Sequence, residues 1–87
     1  AVVSLTYAMA ADHLSDGIRV NAVAPGTADT PWVQRLLADA ADPAATAESL
    51  RRRQPLGRLV TPTELAFAIA NLASPRAAST TGTVAVV

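Results

Sequence analysis

A chain of 87 residues has room for one small domain at most. Hydrophobic residues make up 51% of it, but 20 residues are alanine and only 3% are aromatic, so the core it can build is thin. The formal net charge is zero, all seven basic residues are arginine, and there is no cysteine. This argues against a general nucleic-acid binder and leaves no disulfide or thiolate metal site. No apolar run approaches the roughly 20 residues of a membrane span. The N-terminus lacks the basic start and long apolar core of a signal peptide. The expectation is a cytoplasmic protein with no membrane or nucleic-acid partner.

In chain order, Ala1 to Leu14 reads as a helix. Val3, Tyr7, Ala10 and Leu14 fall on one stripe at helical spacing, and Val2, Leu5 and Met9 on a second, which predicts burial on two sides. Asp16-Gly17 closes it, glycine being suited to a C-terminal cap or turn. Ile18 to Ala24 follows as a strand. Its nearly continuous apolar run suits a parallel strand covered on both faces. Arg19 and Asn21 interrupt that run and read as structural hydrogen-bonders, since buried polar groups need partners.

Pro25 cannot donate to a strand ladder, and Gly26 lets the backbone turn or approach a ligand closely. Thr30-Pro31 then opens a helix, with the hydroxyl as N-cap and proline at the first helical position. The helix is expected over Pro31–Ala40, with Trp32, Leu36 and Ala40 on one face and Val33 and Leu37 beside it. Asp42-Pro43 breaks it and starts another over Ala44–Arg53. Gln54 to Gly57 is a loop. The clearest local signal is Thr61-Pro62-Thr63-Glu64, an N-cap, a first-turn proline and the closing glutamate of a capping box. Leu65, Ile69 and Leu72 predict the buried stripe of that helix, which stops near Ser74-Pro75. Gly82 to Val87 is a β-branched run, hence a strand.

Strands separated by helices indicate a parallel sheet with right-handed crossovers. Two strands cannot supply the neighbours a buried parallel pair needs. The first residue is not methionine, and the last strand stops abruptly at Val87. The chain therefore reads as a segment of a larger domain, with the rest of the sheet upstream.

Three stretches, GIRVNAVAPGTADTPW, GRLVTPTELAFAIANLAS and TTGTVAVV, resemble in order and spacing the C-terminal third of a classical short-chain dehydrogenase/reductase. The resemblance covers essentially the whole chain. It implies that residues 1–87 are the C-terminal part of one NAD(P)-binding Rossmann domain. That fold is α/β, a doubly wound parallel sheet, incomplete here, with a substrate-lid insertion over residues 31–57. It implies an oxidoreductase that moves a hydride between NAD or NADP, with NAD favoured, and an alcohol or carbonyl. The members it most resembles act on small hydroxy acids or sugar acids. The glycine-rich phosphate loop, the catalytic serine and the Tyr-x-x-x-Lys pair would lie upstream, so no catalytic residue is assigned here. Tyr7 has Ala11 four residues on, and the chain holds no lysine. The full-length protein would be a homodimer or homotetramer, and this segment alone would be inactive.

Carried over by position, Pro25 and Gly26 shape the wall under the nicotinamide ring. The backbone of Ala28 hydrogen-bonds the carboxamide. The Thr30 hydroxyl, at a helix N-terminus, reaches the carboxamide or the pyrophosphate. The plainer reading is that Thr30 caps its helix and Gly26 turns the chain. Arg51, Arg52, Arg53 and Gln54 close the helical insertion, where an arginine can pair with a substrate carboxylate in two-pronged geometry, Arg53 and Gln54 being the substrate candidates. Against this, arginines at a helix C-terminus also favour the dipole and stay solvated. Trp32 is a further candidate for a substrate wall. His13 has no partner at metal spacing and reads as a capping or solvated group. The alternative function is a non-catalytic module that docks its first helix on a partner or binds nucleotide without chemistry.

Overall fold

The computed structural model describes residues 1–87. The elements run α1 (Val2–Asp12), β1 (Ala22–Ala24), α2 (Pro31–Ala38), α3 (Pro43–Arg52), α4 (Pro62–Ala73) and β2 (Val84–Val86), with short 3-10 turns at Leu14–Asp16 and Pro75–Ala77. None of the helices is long and apolar enough to cross a membrane.

Local chemistry explains the helix starts. Each of α2, α3 and α4 begins with proline, whose missing N–H would be unpaired there in any case. The preceding residue caps each one. Thr30 Oγ1 accepts from the Val33 N–H at 3.4 Å, Asp42 Oδ1 from the Ala45 N–H at 3.2 Å, and Thr61 Oγ1 from the Glu64 N–H at 3.1 Å. At α4 the capping box is complete, because the Thr61 N–H donates back to Glu64 Oε1 at 3.0 Å. After α1, Gly17 takes the left-handed conformation at φ 71° that closes the following 3-10 turn.

The two strands pair in parallel, with Ala22, Val23 and Ala24 opposite Val84, Ala85 and Val86. Backbone bonds continue the pairing at both ends: Gly82 N–H to Val20 O (2.8 Å), and Gly26 N–H to Val87 O (3.0 Å). The regular strands are shorter than the expected Ile18–Ala24 and Gly82–Val87. Ahead of β1 the chain is held by side chains instead. The Val20 N–H donates to Thr81 Oγ1, and Asn21 bonds the Thr80 carbonyl and the Thr83 N–H. The Arg19 guanidinium donates to the carbonyls of Leu72, Ser74 and Thr80 at 2.8–3.1 Å. It thus ties the end of α4 to the approach to β2. Both residues are the structural hydrogen-bonders that a polar group in this segment requires.

The faces that the helices bury match those expected only in part. On α1 the inward line is Thr6 and Ala10, so that of the two expected apolar stripes only Ala10 is buried. Thr6 satisfies its hydroxyl on the Val2 carbonyl at 2.8 Å. Ala10 sits where a Cβ on Gly82 would come within 3.4 Å, so small residues let this helix approach closely. Val2, Val3, Leu5 and Tyr7 are left exposed. On α2 the buried residue is Val33, at 5% exposure, while Trp32 and Leu36 face out. On α4 the inward line is Leu65, Ala68 and Leu72, while Ile69 is exposed. α2 and α3 pack on one another.

Only Thr6, Ala10, Val33 and Val60 are buried in the whole chain. The radius of gyration is 16.5 Å, against about 12 Å for a compact domain of this length. The accessible surface is 6127 Å², against roughly 4,800 Å² expected for the mass. The apolar faces of a sheet and its helices are present, without the layers that would bury them.

Candidate functional site

Beyond the C-terminal end of β1, the chain from Pro25 to Thr30 does not simply turn. It forms a one-residue parallel bridge, Ala28 opposite Val60. The Val60 N–H donates to the Thr27 carbonyl at 2.9 Å, and the Asp29 N–H donates to the Val60 carbonyl at 2.8 Å. These two bonds aim the peptide groups on either side of Ala28. Each peptide is planar and trans, so its N–H and C=O point in opposite directions. With the Thr27 carbonyl and the Asp29 N–H turned toward Val60, the N–H and C=O of Ala28 face the other way. Neither makes a hydrogen bond within the chain. Ala28 is half-buried, so this is a donor and acceptor pair held rigidly at a sheet edge.

Next to this loop lies an open cavity of about 790 Å³. Pro25, Gly26 and Thr27 form one side of it, and Arg53, Gln54, Pro55, Leu56, Arg58 and Val60 another. The structure thus brings Pro25, Gly26, Arg53 and Gln54 to one cavity. Ala28 and Thr30 lie on the adjoining loop outside its lining, and Trp32 faces out at 61% exposure. Thr30 caps α2, the plainer of the two readings of its hydroxyl. Gln54 is engaged with the loop: its Oε1 accepts from the Thr27 N–H, and its Nε2 donates to Thr27 Oγ1, both at 3.3 Å.

The charges in the cavity are not equivalent. Arg58 makes a two-pronged pair with Glu64, at 2.7 and 2.9 Å. That guanidinium, followed by the Thr61 backbone N–H and then its hydroxyl, pulls the Glu64 carboxyl down to about 2. At the end of α3, Arg51 and Arg52 both pair with Glu48, whose carboxyl is held below its usual range chiefly by the hydrogen bond from Arg51. Arg53 has no ion-pair partner and is the cavity's one unpaired charge. His13 pairs with Asp16 at 3.1 Å, far from a ligand role. No group of three or more His, Asp or Glu converges as a metal site requires.

Thr27, Arg58 and Val60 are site residues that the sequence reading did not single out. Arg58 had a signal, an arginine just ahead of a capping-box glutamate. Val60 had none, because its importance comes from the bridge it makes to a distant loop.

A family model described as enoyl-(acyl carrier protein) reductase matches residues 1–87. Over 83 residues the chain is 45% identical to 2-keto-3-deoxy-L-fuconate dehydrogenase of Xanthomonas campestris pv. campestris, covering 94% of this chain and 28% of that protein. It is 47% identical over 83 residues to cis-4-hydroxycyclohexanecarboxylate dehydrogenase of Sinomonas cyclohexanicum, covering 95% and 31%. The crystal structure of Cj0485 dehydrogenase superposes with a TM-score of 0.91 at 30% identity, over 97% of this chain and 33% of that one. The chain belongs to the short-chain dehydrogenase/reductase family. It spans about a third of the length of these relatives, and its two parallel strands and four helices are part of their Rossmann-type α/β fold.

Proposed function

We propose that the Pro25–Thr30 loop is the nicotinamide-side wall of a dinucleotide site. The protein carrying this segment would then be an oxidoreductase acting on a hydroxy or keto carboxylate. The observation that supports the first part is the free peptide edge of Ala28. A nicotinamide carboxamide offers one carbonyl acceptor and one NH₂ donor, and the Ala28 N–H and C=O are its complement. When bound, that coenzyme supplies the hydride chemistry, and the protein's part is orientation. Ala28 suits that part because Val60 holds the peptides on both sides of it. Fixed groups keep a reacting face at near-attack geometry better than mobile ones. Pro25 and Gly26 form the wall beneath, and the Thr30 hydroxyl, while capping α2, adds a polar group at a helix N-terminus.

The substrate class rests on Arg53. It is an unpaired guanidinium beside the proposed coenzyme wall, suited to two-pronged pairing with a carboxylate. The two relatives named above act, by their names, on a keto-carboxylate and a hydroxy-carboxylate. Residues 31–57 would be the lid that brings Arg53 over the substrate, with Gln54 beside it. NAD is the first coenzyme to assay. We take the full-length assembly to be a cytoplasmic homodimer or homotetramer.

The test is an assay of the full-length protein with NAD⁺ and NADP⁺. Hydroxy carboxylates such as 4-hydroxycyclohexanecarboxylate are compared with their uncharged methyl esters. Turnover is expected with the acids and little with the esters. Arg53→Ala should raise KM for the acid about ten- to a hundredfold and leave that for the ester unchanged. Failure to reduce either coenzyme with any acid in the panel sinks the proposal. An unchanged KM in Arg53→Ala removes the carboxylate assignment alone.

A further inference from the structure

Gly26 does not have the backbone conformation that usually explains a glycine. The left-handed glycines of this chain are Gly17, Gly57 and Gly82. What singles out Gly26 is its neighbour. A Cβ built there would collide with Gln54 Oε1, and would come within 3.4 Å of Gln54 Cδ. Its remaining close contact, Val60 Cγ2 at 3.6 Å, is ordinary van der Waals packing. Only the glutamine amide stands where a side chain would go.

That amide is bonded on both sides. Its oxygen accepts from the Thr27 N–H, and its nitrogen donates to Thr27 Oγ1 and to the Leu50 carbonyl in the last turns of α3. The three bonds span 3.3–3.4 Å, at the long end of the hydrogen-bonding range. They nevertheless grip Thr27 through its N–H and its side chain, while Val60 holds its carbonyl. The peptide that follows Thr27 carries the Ala28 N–H.

We infer that Gln54 is a positioning residue. It latches the end of α3 onto the Pro25–Thr30 loop, and residue 26 is glycine in order to admit its amide. Through Thr27 the latch sets the direction of the Ala28 peptide edge. This last step rests on the assignment of that edge to a coenzyme carboxamide, whereas the latch itself does not.

A double-mutant cycle in the full-length protein tests this, with Gly26→Ala, Gln54→Ala and the pair. Two readouts are taken: the thermal unfolding midpoint without ligand, and the Kd for NADH and NADPH. Gly26→Ala must displace the amide, so it should lower the midpoint much as Gln54→Ala does. In the double variant the added methyl meets no glutamine, so its midpoint should match that of Gln54→Ala alone. Each single variant should weaken dinucleotide binding by at least about fivefold, the loss of roughly one hydrogen bond's worth of orientation, and the double variant no further. Additive losses in the midpoint, or a Gly26→Ala variant as stable as wild type, overturn the latch. Matching midpoints with unchanged dinucleotide affinity leave the latch standing and overturn its positioning role. Should the wild type bind neither dinucleotide, the proposed function fails, the positioning role falls with it, and the midpoint cycle still decides the latch.

Discussion

Arg19 and Arg53 carry the same charge and face opposite demands. Arg19 is half-buried, and its planar fork reaches three carbonyls that come from α4, the turn after it and the approach to β2. The Leu72 and Ser74 carbonyls lie where α4 ends and its last acceptors lack intrahelical donors. Arg19→Met keeps the stem but leaves them without these bonds. It should destabilise the full-length protein by on the order of 2–3 kcal/mol. Arg19→Lys should recover only part of this, because an ammonium cannot reproduce the fork; thermal unfolding of the two variants checks both. Arg53, in contrast, holds nothing in the chain together, so Arg53→Ala should leave the unfolding midpoint nearly unchanged while altering substrate KM. The sequence reading separated the two correctly for Arg19, since a charge in an apolar strand demands partners. It also placed Pro25 and Gly26 where the chain leaves β1. It missed why position 26 is glycine, because the amide that occupies the space comes from a remote segment.

At the level of elements, signals confined to a few adjacent residues were fully legible. The caps of α2 and α4, the break at Asp42-Pro43 and the Gly17 turn all appear where the residue types demand them. Faces were legible only in part. Periodicity identifies an apolar stripe but not what will cover it: on α1 the packed line is Thr6 and Ala10, small residues that allow close approach, whereas α4 turns Leu65 and Leu72 of its expected stripe inward together with Ala68. Strand lengths were overestimated for a related reason: Arg19 and Asn21 replace backbone ladder bonds with side-chain bonds. The start of α4 gives the sharpest prediction. Thr61→Ala removes one arm of the capping box and should cost about 1 kcal/mol. That is a fall of about 2–4 °C in Tm if the full-length protein has 150–250 residues. Glu64 has a carboxyl pulled down to about 2 from an ordinary value of 4.5. A depressed carboxyl pKa stabilises the folded state above the unfolded value and loses that contribution as pH falls toward the folded one. The Tm gap between wild type and Glu64→Gln should therefore be complete above about pH 5 and narrow progressively from pH 4.5 toward about pH 2. A gap independent of pH across that window would show that the carboxylate contributes nothing through its charge.

Taken whole, the 87 residues form a frame without a filled interior. Four buried residues cannot offset the entropy of ordering such a chain, which runs to about 1–2 kcal/mol for each residue's backbone. Expressed alone, the segment should show no cooperative thermal transition and exchange its amide hydrogens rapidly. A sharp calorimetric peak from the isolated chain would contradict that. The two-stranded sheet has a further consequence. Each strand has a partner on one side only, so both outer edges present unpaired N–H and C=O groups. The last of these edges runs through Thr83–Val87, five residues with no charge and no proline, where Val86 is 85% exposed. Such an edge is a template for other chains, and an uncharged β-branched run suits the dry, interdigitated stacking of cross-β fibrils. The valines that pair β2 with β1 here are thus an aggregation hazard whenever the rest of the fold is slow to cover them.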